Sequence, residues 1–123
     1  MPKNPKYNLE ERTARFGENC IFFCKKASRS PMNDPLITQL IKCATSIGAN
    51  YAEADDAESK YDFHHKIGIC KKESREAKHF IRMIAIALPE LKEEARVLWK
   101  EAKELNLIFN TIFKKTKKQL RTN

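Results

Sequence analysis

The chain has 123 residues, of which 33% are charged and 41% apolar, and 24 Lys and Arg against 16 Asp and Glu give a formal net charge of +8. This length suits one domain, and the composition is typical of a globular protein. No apolar run approaches the ~20 residues that span a bilayer, and the N-terminal sequence MPKNPKYNLEERTARFGE lacks the apolar segment of a signal peptide. We therefore expect a cytoplasmic protein with no membrane partner, whose four cysteines are reduced thiols.

The positions of the prolines predict long helices. Prolines stand at 2, 5, 31, 35 and 89, so residues 36–88 and 90–123 contain none. Pro breaks a helix interior, and Gly, which occurs only three times, weakens one. Four segments repeat apolar residues at steps of three and four, which is the spacing of one helical face. The predicted helices run at about 8–28, 34–57, 60–88 and 90–118.

Turn residues separate these four helices. In the first connection, SRSPMNDP, Asn33 or Asp34 can cap the second helix, with Pro35 in its first turn. Ser59 or Asp62 can start the third helix, and Pro89 ends it and opens the fourth. Because the connections are short, neighbouring helices should run antiparallel. The sequence predicts an all-α, up-down-up-down four-helix bundle that forms a single domain over residues 1–123.

The second helix contains an unusual stretch, ATSIGANYAEA, at residues 44–54. Gly48 weakens an isolated helix by about 1 kcal/mol relative to Ala, so packing must offset that loss. Ala44 and Gly48 lie four residues apart and predict a shallow groove that a facing helix can approach closely. Ser46, Asn50 and Glu53 flank this groove and, if half-buried, need hydrogen-bond partners; the alternative is that they face water. The third helix offers three candidate partners, Lys72, Arg75 and Glu76.

Four stretches carry a resemblance to a known family: LEERTARFGE (9–18), NDPLITQLIKCATS (33–46), CATSIGANYAEA (43–54) and SKYDFHHKIGICKKESREAKH (59–79). They resemble the four-helix proteins encoded in intervening sequences of 23S ribosomal RNA genes. That family is similar to the accessory variability determinant protein of diversity-generating retroelements. The resemblance covers residues 7–88 well, and the fourth helix only by its general pattern.

This resemblance implies an assembly and a partner rather than a reaction. It implies a barrel-like homo-oligomer, a pentamer, that binds RNA or DNA beside a reverse transcriptase or an rRNA intervening sequence, and it implies no catalytic residues. The apolar residues agree with an assembly, because the first and fourth helices carry more of them than one narrow seam absorbs. The alternative is a wider apolar stripe within one subunit. The surplus residues are Ile21, Phe22, Cys24, Val97, Trp99, Ile108 and Phe113.

The sequence argues against a metal centre. A di-iron bundle needs two Glu-x-x-His motifs, and the chain has one, Glu76 to His79, on a flank of the third helix. The cysteines lack the tight C-x-x-C spacing of a zinc site, which favours buried structural thiols. No nucleophile motif or Gly-rich phosphate loop is present. We expect no enzyme activity, no cofactor and no metal. The four cysteines are Cys20, Cys24, Cys43 and Cys70.

Clustered cations provide the main functional signal. On the third helix, a stripe of cations repeats at the same three- and four-residue steps as the core, shifted by one residue. A second cluster lies at the end of the first helix, and a third lies in the basic C-terminal end, 114–123. A line of Lys and Arg suits a phosphate backbone. No aromatic platform accompanies them in sequence, so we expect contacts to the nucleic-acid backbone with little sequence preference. The alternative is a protein-protein scaffold whose charge only keeps it soluble. The candidate residues are Lys71, Arg75, Lys78 and Arg82, together with His64; Lys25, Lys26 and Arg29; and Lys114, Lys115, Lys117, Lys118 and Arg121.

Overall fold

Four α-helices make up most of the computed structural model, which describes residues 8–122. They are α1 (Leu9–Lys26), α2 (Asn33–Asp55), α3 (Lys60–Ala87) and α4 (Lys92–Thr122), with one 3-10 turn, Pro89–Leu91, before α4. The predicted all-α four-helix fold is therefore confirmed, and no strand occurs within residues 8–122. The predicted ends of α1 and α2 were each two residues too late, and α4 continues past 118 because no helix-breaking residue follows.

Side chains cap the starts of α1 and α3. The Asn8 side chain accepts a hydrogen bond from the amide of Glu11 (3.3 Å), and Ser59 accepts one from Asp62 (3.0 Å), as the sequence predicted for α3. The predicted cap of α2 by Asn33 or Asp34 was wrong. A turn over residues 31–32 brings the Ser30 hydroxyl to the amide of Asn33 (3.0 Å).

Each helix packs against the next one in sequence, and α4 closes the bundle against α1. The core is filled mainly by fully buried aliphatic and aromatic side chains. The contact between α1 and α4 is the smallest of the four. Ion pairs support it: the Arg12 guanidinium donates to both carboxylate oxygens of Glu101 at 2.8 Å and lies 2.9 Å from Glu104. The largest fully buried side chains include Phe16, Leu40, Ile47, Ile67, Ile81, Ile84, Leu105 and Phe109.

Gly48 permits a close contact between α2 and α1. A Cβ atom added at Gly48 would lie 3.5 Å from backbone atoms of Thr13 and Ala14 on α1. The contact is reciprocal, because a Cβ at Gly17 would lie 3.4 Å from the carbonyl oxygen of Ala44. Two helices that approach through glycines recover in packing what the glycines cost in helix propensity.

The polar residues of the same stretch lie on another side of α2. Ser46 and Asn50 are each two positions from Gly48, hence about 200° around the helix, so they flank α3 rather than the groove. The Asn50 amide donates to the carbonyl and hydroxyl oxygens of Ser46, both at 2.9 Å. Glu53 pairs with Lys66 of α3 at 2.8 Å. The predicted partners on α3, Lys72, Arg75 and Glu76, were therefore wrong, because Asn50 is satisfied within its own helix.

Replacing Gly48 tests this helix contact. We expect Gly48→Leu to destabilise the fold by roughly 1–3 kcal/mol, because its branches meet the backbone of α1, which cannot rotate away. Gly48→Ala is the matched control, since its Cβ meets α1 at ordinary van der Waals distance and Ala favours the helix. Urea unfolding of the three proteins measures the difference. A Leu variant as stable as the Ala variant would show that α1 does not approach Gly48.

Candidate nucleic-acid interface

An open groove of about 880 Å³ runs along the solvent side of α3. Lys71, Arg75 and Lys78 line it, as the sequence predicted for a common stripe. Each of these cations follows a buried core residue by one position, which turns it about 100° away from the core. Neighbouring helices complete the lining, with Gln39 from α2 and Asn106, Asn110 and Phe113 from α4.

The charge of this groove is largely uncompensated. Among residues 8–122, no carboxylate lies within ion-pair distance of Lys71, Arg75, Lys78 or Arg82. Glu76 is the acid that lines the groove, beside Lys72 and Arg75. Partial burial, together with the nearby charge of Glu76, raises the pKa of Glu73. The groove therefore presents several cations to solvent against one acid.

Aromatic rings of α4 lie beneath the cations of α3. The Lys71 ammonium is 4.4 Å from the centroid of the Phe113 ring. The ammoniums of Lys78 and Lys103 are each 5.6 Å from the centroid of the Trp99 ring. These distances are typical of cation–π contacts. The expectation that no aromatic group accompanies the stripe was wrong, because Trp99 and Phe113 reach it from a different helix.

The sequence did not single out the amide that joins α3 to α4 beside the groove. Asn106 is buried, and its Nδ2 donates to the carbonyl oxygen of Lys71 (2.8 Å) and to the Ser74 hydroxyl (3.1 Å). Asn110 in turn donates to the Asn106 side-chain oxygen at 3.1 Å. A buried amide satisfied in this way permits one register between the helices. The available signal was an Asn between the core positions Leu105 and Phe109.

His64, a member of the predicted stripe, is half-buried against α4. Its Nδ1 lies 2.6 Å from the Thr116 hydroxyl, and its ring stacks on Phe113 with centroids 4.2 Å apart. The Thr116 hydroxyl donates to the carbonyl oxygen of Phe113, so the short contact fits a protonated Nδ1 that donates to Thr116. Burial lowers the pKa of His64, and the charges of Lys117 and His65 lower it further. His64 thus anchors the end of α4 instead of offering a charge.

The basic C-terminal end belongs to α4. The residues from Lys114 onward extend α4 beyond Phe113, which lines the groove. Lys114, Lys115 and Lys117 are exposed, while Lys118 makes an interaction with another residue. Arg121 lies in the last turn of α4. The predicted C-terminal cluster therefore lies on the last turns of α4, beyond the groove.

The cluster at the end of α1 is not brought to the groove. Lys26 pairs with Glu94 at 3.1 Å, and Arg29 pairs with Asp34. Lys25 extends over the ring of Phe22 at 6.0 Å. Since α1 packs against α2 and α4 and not α3, these cations lie apart from the stripe, and two of the three are neutralised by carboxylates.

The four cysteines are buried free thiols, as the sequence predicted. Burial raises the pKa of Cys24 to about 11 and those of Cys43 and Cys70 to about 12, and it raises the pKa of Cys20 as well. A thiol with so high a pKa is a poor nucleophile and metal ligand. Within residues 8–122, no group of three His, Cys, Asp or Glu side chains is placed to hold a metal ion.

The surplus apolar residues divide into two groups. Ile21, Phe22 and Val97 are exposed, Phe22 by 60% and Val97 by 69%. Cys24 is buried, and Trp99, Ile108 and Phe113 pack partly against the core. The wide intramolecular stripe thus accounts for four of these seven residues, and three remain as an apolar outer surface on α1 and α4.

Comparison with known proteins agrees with this architecture. The fold and the groove define a basic four-helix-bundle protein, and no helix among residues 8–122 is long and apolar enough to cross a membrane. The chain belongs to the 23S rRNA-intervening sequence protein family, whose match covers residues 8–106 and so confirms the family resemblance. No curated protein matches the sequence.

A solved structure shares the fold. It is a protein with unknown function from the S23 ribosomal protein family of Bacteroides thetaiotaomicron, with a TM-score of 0.77. The two chains are 24% identical, and the match covers 86% of this chain and 98% of the other. At this identity the likeness shows the fold alone.

The environment of His64 predicts a pH dependence of stability. Because its folded-state pKa lies below the ordinary value of 6.5, the unfolded chain takes up the proton first as pH falls. We expect the melting temperature to fall between pH 7.5 and 5.5, and to fall less in His64→Gln. His79→Gln, which changes an exposed histidine of the same helix, serves as the control and should keep the wild-type decrease. Identical pH profiles for wild type and His64→Gln would contradict the assignment.

Proposed function

We propose that this protein is a non-enzymatic accessory protein that binds RNA or DNA through the groove of α3 and the basic end of α4. The observation that carries the proposal is the row Lys71, Arg75, Lys78 and Arg82, which has no ion-pair partner among residues 8–122. At a rise of 1.5 Å per residue, successive cations stand roughly 4.5–6 Å apart along the helix. A regular row of this kind suits a phosphate backbone and the release of its counterions.

The cations of the row are also held in position. Cation–π contacts keep Lys71 and Lys78 close to rings of α4, and Asn106 binds the backbone of Lys71. Side chains that are ordered before binding lose less conformational entropy when a ligand arrives. Backbone contacts of this type position a nucleic acid without reading its sequence. The family name concerns an rRNA intervening sequence, which agrees with a nucleic-acid partner.

A second proposal is that the protein associates with itself. The exposed Phe22 and Val97 support it, since large apolar side chains on a surface often mark an interface. The family resemblance implies a homo-oligomer, a pentamer, and the α3 groove stays open in such an assembly if α1 and α4 form the contact. A scaffold without nucleic-acid binding is the rival function, and the binding experiment separates the two.

Reversing the charge of the row tests the nucleic-acid proposal. We expect Lys71→Glu, Arg75→Glu and Lys78→Glu together to weaken binding to RNA and DNA of any sequence, measured by filter binding. With about five phosphate contacts, a plot of log binding constant against log salt concentration should have a slope of roughly −4 to −5 for the wild-type protein on duplex DNA. The variant lacks about three of these contacts, so its slope should be correspondingly shallower.

The matched control reverses Arg15, Lys25 and Lys26 on α1. Each triple reversal lowers the formal net charge from +8 to +2, so the two variants carry the same net charge. The control should bind nearly as wild type does. Equal weakening by both triple variants would assign binding to the overall charge of the protein. If the wild-type protein binds neither RNA nor DNA at low salt, the nucleic-acid proposal is wrong and the scaffold function is the one that stands.

Light scattering tests self-association. We expect the wild-type protein at tens of micromolar to have a mass well above the 14.3 kDa of one chain. In a Phe22→Ser, Val97→Ser double variant, the mass should shift toward the 14.3 kDa of the monomer. Met32→Ser, which changes another exposed apolar residue, at 67% exposure, is the control. A wild-type monomer at this concentration would exclude the barrel assembly.

A further inference from the structure

A second pocket, of about 430 Å³, lies between α3 and α4 near the end of the groove. Its floor is apolar and consists of Ile81 and Ala85 from α3 with Ala95 and Trp99 from α4. The sequence placed Arg82 in the stripe and Trp99 among the surplus apolar residues, and gave neither a role in a pocket. The volume is within the range of roughly 300–1,000 Å³ that is typical of small-ligand sites.

Every charged residue that lines this pocket is a cation. Arg82, Lys92, Arg96 and Lys100 surround the apolar floor. Arg96 alone among these four has a carboxylate within ion-pair distance in residues 8–122, Glu93 at 3.5 Å, and that pair is exposed. The pocket therefore has an apolar base and a positive rim, which is the complement of a flat apolar group attached to an anion.

Trp99 connects the pocket to the groove. Lys78 lines the groove, and its ammonium lies 5.6 Å from the Trp99 ring, as does that of Lys103. Neither lysine lines the pocket, whereas the indole forms part of its wall. A strand whose phosphates follow the row of α3 would pass Lys78 and arrive at Arg82 with a base beside Trp99.

We propose that this pocket accepts an unpaired nucleobase, which stacks on Trp99 while Arg82 and Arg96 hold the adjoining phosphates. The inference rests on the proposed nucleic-acid binding and deepens it, because it makes single-stranded nucleic acid the preferred substrate class. Every base has a π-face, so stacking on an aromatic ring tolerates any sequence. A base inside a duplex cannot reach the ring, since its faces are covered by its neighbours.

The pocket fits a base better than it fits a protein segment. An amphipathic helix docks through anchors at several successive turns of an apolar groove. Here the apolar floor is confined to one indole and short aliphatic groups, and the adjoining groove is lined by cations and amides. The alternation of ring and cation instead matches the pattern of single-strand binding surfaces. An acidic peptide or a second copy of the chain is therefore an alternative outcome of the test.

The single tryptophan makes the test direct, because Trp99 reports on its own pocket. The full chain is titrated at low salt with three labelled probes of equal length: a single-stranded oligonucleotide, the same strand with abasic sites, and a blunt duplex. Label anisotropy measures binding, and indole emission measures stacking. We expect all three probes to bind, and only the base-bearing single strand to quench Trp99 in proportion to binding.

Variants separate stacking from folding. We expect Trp99→Leu to weaken binding of the base-bearing strand by about 5- to 150-fold, and to weaken the abasic strand much less, because that strand loses only the restraint on Lys78. Trp99→Phe retains an aromatic face and should restore most of the affinity. The probe comparison uses the wild-type protein, so it stands even if Trp99→Leu folds poorly.

Two failures are distinguishable. Equal binding of all three probes without quenching would overturn the base pocket and leave the phosphate-binding groove intact. No binding by any probe would overturn both. Two titrations without oligonucleotide complete the test, one with increasing protein concentration and one with a poly-glutamate peptide. Quenching of Trp99 in either of them would assign the pocket to a protein partner.

Discussion

The burial of one face of α3 is the constraint on which the rest of the molecule depends. Ile67, Cys70, Ser74, Ala77 and Ile81 must face the core, where α2 and α4 cover them. This requirement fixes the rotation of the helix, and with it the direction of every other side chain that α3 carries. The cations stand one position after buried residues, so the helix cannot rotate to bury them without exposing its core. The basic groove is a consequence of the same seven-residue pattern that makes the bundle.

Different chemistry holds three of the four packed helix pairs together. Glycines on both helices allow α1 and α2 to approach until backbone contacts backbone. The dispersion energy gained in this contact offsets the helix propensity that the glycines lose. A buried amide, Asn106, specifies the register of α3 and α4, where an unpaired donor would cost about 1–3 kcal/mol. Ion pairs from Arg12 join α1 to α4 at their smaller contact. The pair joined by this amide, α3 and α4, is also the pair that forms most of the groove and the Trp99 pocket.

The charges near α3 and those near α1 differ in what surrounds them. Lys26 and Arg29 are neutralised locally, and an exposed pair of this kind contributes little to stability or to long-range attraction. Lys71 and Lys78 of α3 lie over rings of α4, which hold their side chains while leaving their charge available. Net charge alone attracts polyanions to the whole surface. A localised site requires that some cations are free of carboxylate partners while others are paired. The packing of α3 against α4 leaves the cations of the row unpaired among residues 8–122.

The sequence by itself determined the number of helices, their approximate ends, the buried thiols and the stripe Lys71, Arg75, Lys78 and Arg82. These follow from local periodicity, because a helix places residues on faces by angle alone. Only the tertiary structure decided which helix meets Gly48, that Asn50 bonds within α2, and that the amide of Asn33 donates to the Ser30 hydroxyl. It also decided that Trp99 and Phe113 lie beneath the lysines of α3. Such contacts depend on the rotation and height of one helix relative to another, which packing sets across residues that are distant in the chain.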